Sequence, residues 1–188
     1  MSKVYVIYYN NAKEILVGSG GTVQGNNRVG YHLPGGTVEY PHTILSDQDA
    51  KDGAIREVGE EFGTDRGNAL KSLTNSSFYI SRREYGGAYL DYVYIIAVWL
   101  RDNLIARMIG EVRDGKNDQN DSAFSHCSLV GAKDAVANFQ THGQDWFVDG
   151  VIDWLEVEED EEYSDDSGNN EADDYGSGED FSVYDGNA

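Results

Sequence analysis

Two short apolar segments open the chain, and a polar turn separates them. Residues 3–9 (KVYVIYY) and 14–18 (EILVG) predict two strands, and Asn10-Asn11 between them predict a β-hairpin. Residues 18–30 are rich in glycine and asparagine. No GK[ST] follows them, so a flexible connection is favoured over a phosphate-binding loop.

A helix is predicted over residues 46–62. Ser46 is the expected N-cap, Asp49 follows three positions later, and Gly63 stands where a C-terminal cap belongs. On a helical wheel, three residues fall within about 60° of Ile55, and the four together predict the face that packs on a sheet. They are Ile55, Val58, Gly59 and Phe62.

The second half of the chain repeats this order of strands and then helix. Residues 77–85 and 88–100 predict two long strands joined at Gly86-Gly87, and residues 101–123 predict a polar, charged loop. A short strand over 126–130 precedes a mostly helical stretch over about 133–155. The order predicts an α/β (α+β) fold class in which helices pack on a mixed sheet.

The formal charge of −20 is concentrated at one end of the chain. Residues 156–188 hold 14 of the 34 acidic residues and none of the 14 basic ones, so the first 155 residues carry a net charge of −6. We expect a domain over 1–155 and a disordered acidic tail over 156–188. Aromatic residues within the tail leave open a contact with a basic partner, beside a purely solubilising role. They are Tyr163, Tyr175, Phe181 and Tyr184.

Cysteine use and the N-terminal pattern indicate the compartment. Cys127 is the single cysteine, which excludes an intramolecular disulfide, and the first residues lack the pattern of a signal peptide. The longest apolar run, residues 92–100, is too short to span a membrane. We therefore expect a cytoplasmic protein without a membrane partner. The acidic composition also disfavours long nucleic acid as a partner.

Three carboxylates crowd one side of the predicted helix. Glu57, Glu60 and Glu61 lie at roughly 200°, 140° and 240° from Ile55 on the helical wheel. Solvated acidic faces usually carry lysine at i,i+4 spacing, and none is present here. A hard divalent cation would relieve the repulsion through oxygen ligands. On geometry alone, a metal site and a solvated face are equally favoured.

The residues upstream of the helix favour the metal site. Residues 33–39 (LPGGTVE) and 56–63 (REVGEEFG) resemble the Nudix box, GX5EX7REUXEEXGU with U aliphatic. The resemblance implies an α/β/α sandwich and Mg²⁺- or Mn²⁺-dependent hydrolysis of a nucleoside diphosphate linked to another group. The chain is thus expected to be a MutT-like pyrophosphohydrolase with a nucleotide as its small-molecule substrate.

The resemblance also implies a role for each matching residue. Glu57, Glu60 and Glu61 match the metal-binding glutamates, and Gly35 matches the glycine whose carbonyl often joins the coordination. Arg56 matches the arginine that orients the neighbouring glutamate. Glu57 is the candidate to position or deprotonate the attacking water. Two further residues, Gly36 and Glu39, are candidates for the loop that meets the substrate.

The chain departs from the box in its first part. Gly36 and Arg56 are separated by 19 residues, where the family has 13, and His42 stands in place of the first glutamate. We expect residues 40–46 to form part of the rim of the site. His42 itself, or an aspartate at the start of the helix, could supply the missing ligand. The aspartates are Asp47, Asp49 and Asp52.

A further carboxylate is expected from beyond the central strands. Residues 128–131 (SLVG) resemble a stretch of MutT-like members that has a glutamate three residues earlier, where this chain has Ser125. Glu111, Asp118 or Asp121 could replace it. Arg82 or Arg83 could meet phosphates, although strand alternation aims only one of them at the site.

The substrate stays open among a nucleoside triphosphate, a nucleotide-sugar and an ADP-ribose-like compound. The alternative function is a degenerate Nudix domain that binds a nucleotide or a partner protein without cleavage, which the insertion and His42 favour. A homodimer is a further open alternative.

Overall fold

The computed structural model describes residues 2–23, 25–38, 44–62, 79–86, 91–115 and 123–165. These residues form eight strands: β1 (Ser2–Tyr9), β2 (Glu14–Ser19), β3 (Thr22–Val23), β4 (Asn26–Asn27), β5 (Gly35–Val38), β6 (Tyr79–Tyr85), β7 (Asp91–Trp99) and β8 (His126–Gly131). They also form four helices: α1 (Asp47–Phe62), α2 (Asp102–Arg113), α3 (Ala132–Thr141) and α4 (Asp145–Asp165).

The main sheet is mixed and is centred on β1. Within the described residues its order is β6-β7-β1-β2-β8, and β5 also pairs with β1. Along one edge, β1 runs parallel to β7 over its whole length. Its other edge is divided, because β5 pairs with residues from Ser2 to Tyr5 and β2 pairs at Tyr9. Between them, the Val6 N–H donates to the Pro34 carbonyl oxygen at 2.8 Å, so the residue just before β5 lies beside this gap.

Helices cover both faces of this sheet. Alternating residues of β1 point to opposite sides, so Val4 and Val6 join one buried cluster while Tyr5 and Ile7 join the other. The first cluster includes buried residues of α1 and α2, and the second includes buried residues of α3 and α4. The predicted α/β/α sandwich with a mixed sheet is confirmed.

The N-terminal hairpin is confirmed, and the side chain of Asn10 shapes its turn. Asn10 Oδ1 accepts hydrogen bonds from the backbone N–H groups of Ala12 and Glu14 at 3.1 and 3.0 Å. Lys13 adopts a left-handed conformation with φ of 55°. The strands of the second hairpin are confirmed as the antiparallel pair β6 and β7, while Gly87 lies outside the described residues.

The start of the predicted helix is also confirmed. Ser46 Oγ accepts the Asp49 backbone N–H at 3.2 Å, and Asp49 Oδ2 accepts the Ser46 backbone N–H at 3.3 Å, which is a reciprocal capping arrangement. Just before it, the Leu45 N–H donates to Tyr94 Oη at 2.7 Å. The end of the insertion is thereby fixed to the sheet. Gly63 lies outside the described residues.

The prediction of a polar loop over 101–123 is wrong for its first half, which forms α2. Ile105, Met108 and Val112 are buried at helical spacing against the α1 side of the sheet. Charged residues between them, such as Arg107 and Glu111, dominate the composition. They concealed an amphipathic pattern that a test for periodicity would have found.

The single helix predicted over about 133–155 is two helices, and the second one extends further than expected. α3 ends at Thr141, and α4 runs to Asp165, so the domain boundary expected after Leu155 falls inside α4. Glu158 accepts hydrogen bonds from Tyr9 Oη at 2.7 Å and from Lys13 Nζ at 2.5 Å. These contacts attach the start of the acidic segment to the first hairpin. Residues 166–188 lie outside the described residues.

No helix in the described part of the chain is long and apolar enough to cross a membrane.

Candidate functional site

A cavity of about 240 Å³ opens where α1, β5 and the start of α4 meet β1. Its lining combines carboxylates, two glycines, basic groups and aromatic rings. The lining residues are Lys3, Tyr5, Thr22, Arg28, His32, Gly35, Gly36, Thr37, Glu57, Glu60, Glu61, Gln144, Trp146 and Phe147. The three glutamates expected from the sequence are therefore brought together, along with the glycine pair.

Glu61 is buried against the sheet and is held by two donors. Glu61 is 3% exposed, and Arg28 Nη2 lies 2.8 Å from Glu61 Oε1. The backbone N–H of Gly35 donates to Oε2 at 2.8 Å. Each carboxylate oxygen of Glu61 therefore has a protein partner, and its charge is neutralised by a guanidinium that is itself almost fully buried.

Burial dominates the ionisation of these carboxylates. Loss of water raises the pKa of Glu61 well above its ordinary value of 4.5, and the Arg28 guanidinium and the Gly35 N–H only partly oppose this. Burial likewise raises the pKa of Glu57, against the lowering effect of Arg56. Both groups therefore hold a proton more readily than a carboxylate in water does.

Arg56 organises the other two carboxylates. Its Nη2 lies 2.6 Å from Glu57 Oε1, and its Nη1 lies 3.1 Å from Glu60 Oε1. The same guanidinium donates to the backbone carbonyl of Thr37 at 3.0 Å. Arg56 therefore ties these two glutamates of α1 to strand β5.

The glycine pair allows the strand to approach these carboxylates closely. Gly35 has φ of 137°, in a region that side chains disfavour, and a Cβ there would lie 2.2 Å from the Val4 carbonyl oxygen. A Cβ at Gly36 would lie 1.9 Å from Glu57 Oε2. Glycine is thus required at position 35, and a side chain at position 36 would displace the Glu57 carboxylate from its present place.

The three glutamates differ in burial, so Glu61 does not lie opposite the packed face of the helix as the helical wheel predicted. Their side chains are 12% exposed at Glu57, 48% at Glu60 and 4% at Glu61. Glu61 lies on the packed side of α1, which also buries the small residues Ala50 and Ala54. Glu60 faces outward, and Glu57 lies between the two.

Arg28 was missed by the sequence analysis, which favoured a flexible connection over residues 18–30. That prediction is wrong, because the segment forms the hairpin of β3 and β4 and then inserts Arg28 into the site. Arg28 Nη1 also donates to the Gly20 carbonyl at 3.3 Å, and its guanidinium lies 4.4 Å from the centre of the Phe124 ring. The sequence offers one signal for this contact, a basic residue 33 positions before Glu61. That signal is too weak to identify Arg28 as the partner of Glu61.

The carboxylate oxygens of the cavity are suitable ligands for a hard divalent cation. Carboxylate oxygens are the ligands that Mg²⁺ and Mn²⁺ prefer, and Glu57 is partly buried beside two further glutamates. Within the described ranges, however, no three His, Cys, Asp or Glu side chains converge closely enough to form a closed metal cluster. Arg28 holds Glu61 toward the sheet and Arg56 holds the other two, so the carboxylates are organised around arginines in this structure.

The remaining carboxylate candidates lie outside the cavity or outside the described residues. Glu111 is on α2, where it pairs with Arg107 at 3.2 Å, and it does not line the cavity. Asp49 caps α1, and Asp52 accepts from Gln48 at 2.8 Å. Asp47 begins the same helix and is also absent from the described lining. Glu39, His42, Asp118 and Asp121 lie outside the described residues.

The two arginines of β6 point to opposite faces of the sheet, as strand alternation predicts. Arg83 pairs with Asp153 of α4 at 2.5 Å and with Asp149 at 3.3 Å. Arg82 is exposed on this edge strand and pairs in register with Tyr94. Neither arginine is among the described residues that line the cavity, so neither is placed to contact a ligand there.

Comparison with known proteins agrees with this architecture. The chain matches the NUDIX domain family over residues 1–142, and it therefore belongs to the Nudix family. A mutT/nudix family protein from Listeria innocua is similar in structure at 11% identity and a TM-score of 0.51, over 87% of this chain and 96% of that one.

Two other solved structures are similar at lower TM-scores. The Ap4A hydrolase of C. elegans, as a binary complex, has 15% identity and a TM-score of 0.45 over 83% of this chain and 98% of its own. A MutT protein from Methanosarcina mazei Go1 has 15% identity and a TM-score of 0.42 over 82% and 94%. Comparison with curated protein sequences gave no match.

Proposed function

We propose that this Nudix protein is a metal-dependent pyrophosphohydrolase that cleaves a diphosphate linkage in a nucleoside diphosphate derivative. The observation that carries the proposal is the cavity, in which Glu57, Glu60 and Glu61 lie beside the glycine pair Gly35 and Gly36. Diphosphates carry crowded negative charge, so an acidic cavity can bind one productively only together with cations.

Glu57 and Glu60 are the proposed principal ligands for Mg²⁺ or Mn²⁺, with Gly35 and Glu61 as further candidates. A divalent metal supplies positive charge to the phosphates and lowers the pKa of a bound water. Arg56 fixes the direction of Glu57 through the 2.6 Å contact. Glu57 is also the candidate to position or deprotonate the attacking water.

The substrate is proposed to be a free nucleotide: a nucleoside triphosphate, a nucleotide-sugar or an ADP-ribose-like compound. Lys3 is a basic residue of the lining and can meet phosphate oxygens. The domain as a whole is acidic, which disfavours long nucleic acid. The name of the C. elegans relative suggests dinucleoside polyphosphates as a further compound to include in the panel.

One observation favours a second function, which is nucleotide binding without cleavage. The buried pair of Arg28 and Glu61 places a permanent cation at the carboxylate face. If that pair replaces a metal, the cavity can hold a nucleotide while lacking the charge needed for hydrolysis.

The test is a release assay over the nucleotide panel, with Mg²⁺ and with Mn²⁺, in which the products are identified. We expect Glu57→Gln to lower turnover by several orders of magnitude, because the charge that holds a metal or accepts the proton is lost. Glu84→Gln, a change at an exposed glutamate of β6, is the matched control and should keep the parental rate.

Three outcomes are informative. Metal-dependent release that Glu57→Gln abolishes supports the enzyme. A folded Glu57→Gln variant with near-parental turnover would refute the role of Glu57. Tight nucleotide binding by the parent chain, with no release under either metal, would favour the binding function.

A further inference from the structure

Among the described residues that line the cavity, Lys3 is a cation without a carboxylate partner. Arg28 also lines the cavity, but it is engaged with Glu61 at 2.8 Å. Burial lowers the pKa of His32 to about 4, so that ring carries no charge near pH 7. The Lys3 ammonium forms no ion pair within the described part of the chain, and it lies 4.4 Å from the centre of the Trp146 ring. Lys3 is therefore the charged group with which this lining can bind an anion.

Aromatic packing fixes the ring on which the Lys3 ammonium lies. Lys3 and Tyr5 are alternate residues of β1, so both side chains point to the face of the sheet that α4 covers. Tyr5 packs edge-to-face on Phe147 at 4.7 Å, and Tyr85 of β6 packs edge-to-face on Trp146 at 6.3 Å. The start of α4 is thereby held against two strands, and Trp146 keeps its position beside the cavity.

The Trp146 ring attracts the ammonium of Lys3 but does not neutralise it. A cation–π contact at a partly exposed site is weaker than a hydrogen bond between an ammonium and an anionic oxygen. The ammonium has three N–H donors, and a ring face below it leaves donors free on the other side. Trp146 therefore restricts where the charge of Lys3 lies, while an anion can still bind to it.

The charged groups of the cavity are divided between its two sides. Glu57, Glu60 and Glu61 belong to α1, which packs on the face of the sheet opposite to the one that α4 covers. Lys3 pairs in register with Thr37, the residue that follows the glycine pair of β5. A cation held by the glutamates would therefore meet a ligand from the α1 side, whereas Lys3 meets it from the α4 side.

We propose that Lys3, held over Trp146, binds a phosphate of the substrate beyond those that the metal binds, so the site selects compounds with three or more consecutive phosphates. This inference rests on the proposed function and narrows its substrates. A nucleoside triphosphate or a dinucleoside polyphosphate carries the additional phosphate. A nucleotide-sugar or an ADP-ribose-like compound places a neutral sugar there, which displaces water from the ammonium without supplying a counter-ion.

The test measures the binding of two compounds that cannot be hydrolysed, in the presence of Mg²⁺ and with the full chain. They are a nucleoside diphosphate and the corresponding triphosphate, both with methylene groups in place of the bridging oxygens. We expect the parent to bind the triphosphate more tightly, and Lys3→Met to lower the ratio of the two affinities about tenfold. Lys3→Arg keeps a charge over the ring and should retain most of the ratio. Lys133→Met, at an exposed lysine of α3, is the matched control.

Two further measurements separate this role from a general effect of charge. Mn²⁺ should bind Lys3→Met no more weakly than it binds the parent, because Lys3 does not hold the metal. Trp146→Leu should lower the affinity ratio in the same direction as Lys3→Met. The double variant should fall no further than Lys3→Met alone, since the ring acts through the ammonium.

Equal affinity of the parent for the two analogues, or no binding of either one, would overturn the subsite. An unchanged ratio in Lys3→Met, or an equal loss of affinity for both analogues, would overturn it as well. Hydrolysis of ordinary nucleotides by the parent would keep the proposed function in each of these cases. Selective binding of the triphosphate that depends on Lys3, with no hydrolysis, would keep the subsite and reject the proposed enzyme.

Discussion

Replacing Arg28 with methionine should expose the energetic role of the buried ion pair. The side chains of Arg28 and Glu61 are 5% and 4% exposed, so removal of the guanidinium leaves a carboxylate in a region that water barely reaches. Breaking such a pair typically costs 3–5 kcal/mol. Methionine retains much of the contact with the Phe124 ring, and Glu61 can take up a proton, so we expect a loss of about 3 kcal/mol near neutral pH.

The pH dependence of this loss follows from the direction of the pKa shift. Burial already holds the pKa of Glu61 above 4.5, and removal of Arg28 raises it further, because the guanidinium lowers it. A carboxyl group whose pKa is raised in the folded state lowers the free energy of unfolding as the pH rises from its ordinary pKa of about 4.5 to the raised pKa, and the full loss remains at higher pH. The deficit of Arg28→Met should therefore be largest at about pH 8 and should shrink as the pH falls toward 4.5.

The assay is urea unfolding with a chelator present, across this pH range, for the parent, Arg28→Met, Glu61→Met and the double variant. The double variant should lose less free energy of unfolding than the two single variants together, because no unpaired charge remains. Arg82→Met, at an exposed arginine of β6, is the control. If Arg28→Met unfolds with a free energy within about 0.5 kcal/mol of the parent at pH 8, the ion pair does not stabilise the fold as argued.

Two further predictions concern the rest of the domain. Burial lowers the pKa of His32 from 6.5 to about 4, so the unfolded state binds more protons than the folded state between these pH values. The free energy of unfolding should therefore fall by about 2 kcal/mol as the pH drops from 6.5 to 4, a figure that allows for partial exposure of the ring. An equal fall in a His32→Gln variant would contradict this. Truncation after Asp165 should keep the parental melting temperature, whereas truncation after Leu155 also removes the contact of Glu158 with Lys13 and should lower it by several degrees. Equal melting temperatures for the two truncations would show that α4 beyond Leu155 does not stabilise the domain.

Much of the fold was predictable because its signals are local. Asn10 formed the expected turn, and Ser46 with Asp49 formed the expected helix cap. These contacts span only a few residues, so residue type and spacing determine them. The pattern that predicts α2 is equally local. It was missed because the charged residues of this segment were judged by their number and not by their spacing.

The site was predictable only in part, because its neutralising contacts join distant segments. The box identified Glu57, Glu60, Glu61 and the glycine pair, all of which line the cavity. Arg28 follows two glycines of its own loop, Gly20 and Gly21, that adopt left-handed conformations, and it meets Glu61 across 33 positions of the chain. Gln144 meets His32 across 112 positions of the chain. No spacing rule connects residues at such separations.

The small residues on the helical wheel, and not only the large apolar ones, indicate where Glu61 lies. Measured from Ile55, Ala50 and Ala54 lie at about 220° and 260°, and Glu61 falls between them at about 240°. Both alanines are fully buried, because small residues allow a helix to approach a sheet closely. A wheel that weights small residues therefore places Glu61 in the contact with the sheet. A glutamate in that position requires a cation or an array of N–H donors, because burying an unpaired charge is costly. The Arg28 guanidinium and the Gly35 N–H together meet that requirement in the structure.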